Sequence, residues 1–159
     1  MPELTSSSLK LLAHTADDLT AMSVYLQDGL LPLASIKFEE EKKRLSFLVN
    51  RFCWEHVESY EELKNYYRIH TTLCFENVEK LHLKGFDQKT EQRIFNILAL
   101  SFVEGHPSTL TIICSGNHEI RLTLKNLDCQ FTDIDQPWPT SKKPTHLHEH
   151  LDELNQKTA

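Results

Sequence analysis

Glycine is scarce in this chain: there are four in 159 residues. Loops that cradle phosphate, and sharp elbows that carry a nucleophile, are built from clustered glycines that tolerate unusual backbone angles. Gly29, Gly85, Gly105 and Gly116 stand far apart, so neither construction is written here. Long apolar runs are also missing, and no stretch approaches the ~18 residues that a membrane helix needs. The opening MPELTSSSLKLLAH has neither a basic start nor an extended apolar centre, which speaks against a secretory signal. Basic residues are outnumbered, 17 Lys+Arg against 23 Asp+Glu, for a formal net charge of −6. A general nucleic-acid binder needs a basic face to release counterions, so neither nucleic acid nor a membrane is the expected partner. The four cysteines (Cys53, Cys74, Cys114, Cys129) include no C-x-x-C pair. Three fall in apolar segments, where a free thiol behaves as a small hydrophobe, and the setting expected is the reducing cytoplasm.

What is present suffices for a packed core. Hydrophobic residues make up 40% of the chain, and the length suits one domain. Residues 1–9 are expected to fray, 10–135 to form the domain, and 136–159 to be a proline-containing extension with a short terminal helix as one option. In LAHTADDLTAMSVYLQDG (12–29), Thr15 and Asp18 have the spacing of a capping box. Leu19, Met22, Leu26 and Leu30 recur at helical spacing, with Val24 and Tyr25 widening the face, and Gly29 and Pro32 supply the stop.

The period then shortens to two. Strands are expected at 33–38, 45–54, 67–75, 78–85, 98–105, 109–116 and 119–126, the last continued or followed by 127–134. The 45–54 run is apolar at nearly every residue and reads as buried on both faces. Ile69, Thr71, Leu73 and Phe75 share one face, a bend falls at Glu76-Asn77, and Leu98, Leu100 and Phe102 are expected inward. Gly116-Asn117 signals a two-residue hairpin. Segment 56–66 reads as a turn or a short surface helix, and 88–97 is ambiguous between helix and strand. The fold class is therefore α+β, an N-terminal helix packed on an antiparallel β-meander of roughly six to eight strands, as a curved sheet or a partly open barrel.

Few residues carry chemistry. His146, His148 and His150 match a zinc site in ligand type, but Leu147, Leu151 and Leu154 repeat at helical spacing and make solvated histidines on an amphipathic helix the favoured reading. No metal or other cofactor is therefore expected. Arg51 lies among apolar neighbours and needs a carboxylate, which Glu55 or another strand-end residue supplies; alternatively it clamps an anionic ligand. No catalytic residue is assigned. The candidate ligand-binding face is Arg51, Trp54, Glu55, His70 and His82, and Trp138, between two prolines, is the candidate partner anchor.

These features also carry a family resemblance. The Leu26-Gln27-Asp28 triplet, the Asn50-Arg51-Phe52-x-Trp54-Glu55 run and the closing Trp138…Pro144-x-His146 resemble the alphaproteobacterial domain-of-unknown-function family 2948 over roughly 10–146. The resemblance implies a bacterial cytoplasmic protein with no assigned activity, and carries no catalytic residue over. The function expected is a non-enzymatic module, monomer or weak homodimer, that binds a protein or a small ligand. The alternative is a small metal-dependent or acid–base enzyme using the histidines and Arg51/Glu55.

Overall fold

Alternation of apolar and polar side chains places one face of a strand in the core, and this chain repeats the pattern from residue 30 onward. The computed structural model describes residues 8–56, 66–87, 93–141 and 143–144. Within them run β1 (Lys10–Ala13), α1 (Ala16–Leu26), β2 (Leu30–Pro32), β3 (Lys37–Glu39) and β4 (Arg44–Phe52), followed by β5 (Tyr66–Phe75) and β6 (Val78–Lys84). β7 (Ile94–Val103), β8 (Ser108–Cys114), β9 (His118–Leu124) and β10 (Cys129–Thr140) complete the set. The fold is α+β, as the sequence predicts, with ten strands in one antiparallel sheet. The additional strands are the short β1 and β2, of four and three residues, below the length at which alternation is legible, and the three-residue β3 takes up only the end of the strand expected at 33–38.

The capping box forms. Thr15 Oγ1 accepts from the Asp18 amide at 3.1 Å, and the Asp18 carboxylate accepts from the amides of Thr15 and His14 at 3.2 and 3.0 Å. Leu19, Met22 and Leu26 of α1 are buried, and Tyr25 packs on the core; Val24, expected to widen the apolar face, is exposed. The helix exit is made by Asp28, at φ 58°, and not by its glycine. Gly29 is needed for another reason: a Cβ there would lie 2.7 Å from Val49 Cγ1 and 2.9 Å from the Leu26 carbonyl oxygen.

The strand order is β1-β10-β5-β4-β2-β7-β8-β9-β6, with β3 pairing β4 alongside. β2 bridges the two arms, meeting β4 at Leu30↔Asn50 and β7 through Leu31↔Phe95. At the other end, Asn77 (φ 57°) turns the chain from β5 into β6, and the Val78 amide donates to the Lys43 carbonyl at 2.9 Å. The sheet thus curves back over itself without closing into a barrel. Leu45, Phe47 and Leu73 from one arm share a core with Leu110, Ile112 and Ile120 from the other.

Several local expectations change. Residues 33–38 are not one strand: the Ser35 hydroxyl donates to the Pro32 carbonyl at 2.7 Å and accepts from the Leu48 amide, closing a single 3-10 turn at Leu33–Ser35 before β3. β4 is buried on alternate residues, not on both faces; Ser46, Leu48 and Asn50 are half-buried. Leu98 points outward at 38% exposure, because the register slips between Ile97 and Ala99 and that extra residue reverses the phase. The β8–β9 connection has three residues, since Cys114 pairs with His118, and Gly116 and Asn117 both take positive φ. Residues 136–140 continue β10, and Trp138 lies opposite Arg68 after an irregular step beyond Ile134. Segment 57–65, residues 88–92 and everything beyond 144, with the terminal helix and histidines 146, 148 and 150, lie outside the described residues.

Candidate functional site

Arg51, Thr71 and Asp133 occupy inward positions on the adjacent strands β4, β5 and β10, in phase with Val49, Leu73 and Phe131. Alternation brings them under the sheet, where each must find a partner. Arg51 is 1% exposed. Its Nε and Nη2 donate to the two carboxylate oxygens of Asp133 at 2.9 and 2.6 Å. Nη1 and Nη2 donate to the Glu55 oxygens, both at 2.9 Å. Asp133 also accepts from Thr71 Oγ1 at 2.7 Å and from the Leu9 amide at 2.9 Å. The guanidinium carbon stands 5.8 and 5.4 Å from the ring centroids of Tyr25 and Phe131.

The electrostatics close on themselves. Burial opposes the charge on Arg51, but hydrogen bonds to Asp133 and Glu55 hold it above its ordinary value. Burial likewise raises the Asp133 carboxyl, and the bonds from Arg51 and Thr71 overcome it, leaving a net lowering. The bidentate geometry of Arg51 is therefore spent inside the protein. The sequence pointed to Glu55 and missed Asp133; the legible signal was an aspartate in the apolar phase of Cys129-x-Phe131-x-Asp133.

The other candidate residues separate. Trp54 Nε1 donates to the Gln27 carbonyl at 2.9 Å, and its ring meets Phe52 edge-on at 4.6 Å. His70 lies on the outer face of β5, its ring 4.6 Å from that of Trp138 and its Nδ1 3.6 Å from Asp135 Oδ2. These two predicted residues are brought together, on the face opposite the Arg51 cluster. His82 is exposed on β6, the far edge of the sheet, opposite Arg121. Five strands separate it from His70 in the sheet order.

A concave site lies elsewhere. The segment before α1 and the loops after β7 and β9 enclose a cleft of about 550 Å³. Its lining includes half-buried Phe102 and buried Leu127 together with exposed His14, Glu104, His106 and Lys125. His14 Nε2 is 3.4 Å from Asp128 Oδ1. Ser108 accepts from the Gly105 amide and donates to its carbonyl, so that hydroxyl serves the loop. Phe102 also borders a smaller recess of about 170 Å³ along α1, with Leu19 and Leu100. Sequence reasoning missed this cleft because its walls come from three segments, around His14, Glu104 and Lys125, that only the fold brings together.

Nucleophilic chemistry finds no support in the thiols. Cys53 and Cys114 are buried, and burial pushes them up to about 12 and about 11. Among the described residues, no group of three or more His, Cys, Asp or Glu side chains is placed to hold a metal ion, and no helix is long and apolar enough to cross a membrane.

Comparison with known proteins gives one family. Residues 9–146 match a family described as "Protein of unknown function (DUF2948)". No curated protein and no solved structure matches.

Proposed function

The chain belongs to the DUF2948 family, and, as membership brings no activity with it, we propose from the site geometry that it is a non-enzymatic module that binds a small ligand or a protein. One contrast carries the reading. The strongest ionic groups, Arg51, Glu55 and Asp133, are consumed by one another, whereas Glu104, His106 and Lys125 line an open cleft without an ion pair among the described residues. A fold spends the first set on its own stability; the second set is available to a ligand. Trp138 remains the proposed partner anchor, and His70, whose ring lies 4.6 Å from it, joins that face in place of the ligand-binding one. A bacterial cytoplasmic setting belongs to the proposal and is supported by the family resemblance and the four free cysteines.

The test is a thermal-shift screen of small polar metabolites and fragments on the full chain. A compound that raises Tm is then incubated with stoichiometric protein and recovered. Recovery unchanged is the expected outcome; conversion to a product would refute the non-enzymatic reading.

A further inference from the structure

We infer that the cleft beside the start of α1 takes a small zwitterion with an apolar group, of the amino-acid or dipeptide class. This rests on the binding-module reading and names its ligand. Glu104, on the β7–β8 loop, and Lys125, on the loop after β9, border the same cleft. Neither forms an ion pair with the other or with any described residue.

Opposite charges held apart on one cleft select against simple ions. Both side chains line one cleft, so an anion drawn to Lys125 enters a space that Glu104 also lines, and a cation drawn to Glu104 one that Lys125 lines; like charges brought close are repelled. A small ligand that carries both an ammonium and a carboxylate offers the first to Glu104 and the second to Lys125. His14, with its Nε2 3.4 Å from Asp128 Oδ1, also lines the cleft. Half-buried Phe102 and buried Leu127 add apolar lining, and Phe102 also borders the recess along α1 with Leu19 and Leu100. Such a lining accepts an aliphatic or aromatic side chain, and the volume of about 550 Å³ suits a molecule of this size. Because the charged walls are solvated, each contact contributes little, and the dissociation constant is expected on the order of 0.1–1 mM.

The experiment is a backbone-amide NMR titration of the full chain. Its probes are leucine, phenylalanine and leucyl-leucine, with 4-methylpentanoate (no ammonium) and isoamylamine (no carboxylate) as single-charge analogues. The zwitterions are expected to shift the amides of Phe102, Gly105, Lys125 and Leu127. Removing either ligand charge is expected to weaken binding about fivefold, as are Lys125→Gln and Glu104→Gln, with Tm confirming that both variants fold. Single-charge analogues binding as well as leucine would overturn the ligand class and leave the binding module standing. Silence from all five probes, with a fragment screen shifting the same amides, would likewise overturn the class alone. Silence at the cleft in both would overturn the class and remove the cleft from the proposed function.

Discussion

Arg51 and Asp133 show how a single pair can hold together distant parts of a chain. Asp133 receives Arg51 from β4, Thr71 from β5 and the Leu9 amide from the segment leading into β1, so three neighbouring pieces meet at one carboxylate. Removing it leaves a buried guanidinium with Glu55 as its one carboxylate partner, beside a 3.4 Å hydrogen bond to the Phe52 carbonyl. Asp133→Ala is therefore expected to cost about 3 kcal/mol or more in urea unfolding at neutral pH. The double change Arg51→Met with Asp133→Leu is expected to recover part of that loss, since breaking a buried pair costs more than replacing both members with apolar groups. A double variant no more stable than Asp133→Ala would count against the account. The pH dependence has a definite sign. The folded carboxyl lies below its ordinary value near 3.8, so its contribution is complete above that value and disappears as pH falls through the folded one. The gap between wild type and Asp133→Asn, measured by urea unfolding, is expected to hold down to about pH 5 and to shrink in stronger acid.

At the scale of elements, the helix ends carry the sharpest expectations. Thr15→Ala removes one half of the capping box and is expected to cost about 1 kcal/mol. Gly29→Ala forces a methyl against Val49 and the Leu26 carbonyl, so a thermal melt is expected to show a lower Tm, although φ at this position is not left-handed. An unchanged Tm would mean that β4 yields to the helix end without cost. The cap was legible because its residues are three apart in sequence. The role of Gly29 was not, because Val49 reaches it only through the fold. The same limit explains Leu98: alternation predicts its face correctly only while the register is unbroken, and the slip after Ile97 depends on how β7 pairs with β8.

The whole molecule is a curved sheet whose arms share one core, and this sets its cooperativity. Apolar residues of both arms and of α1 belong to a single cluster, so neither arm has a core of its own. Unfolding is expected to be two-state, with near- and far-UV circular dichroism giving coincident transitions; separated transitions would show that the arms melt apart. The outer edge strand β6 presents exposed Lys80, His82 and Lys84 to solvent, which discourages pairing with a second sheet. At this scale the division between sequence and structure is clear. Composition and periodicity by themselves determined the α+β class, the capped helix, the longer antiparallel strands and the inward phase of β5, because each depends on neighbours a few residues away. Sequence also marked Arg51 as a charge that needed a partner. Only the tertiary structure chose Asp133 as that partner, placed β10 between β1 and β5, and assembled a cleft from His14, Glu104 and Lys125. Those outcomes depend on which strands pair, and pairing is decided by burial summed over the whole sheet, a quantity that no local stretch of sequence contains.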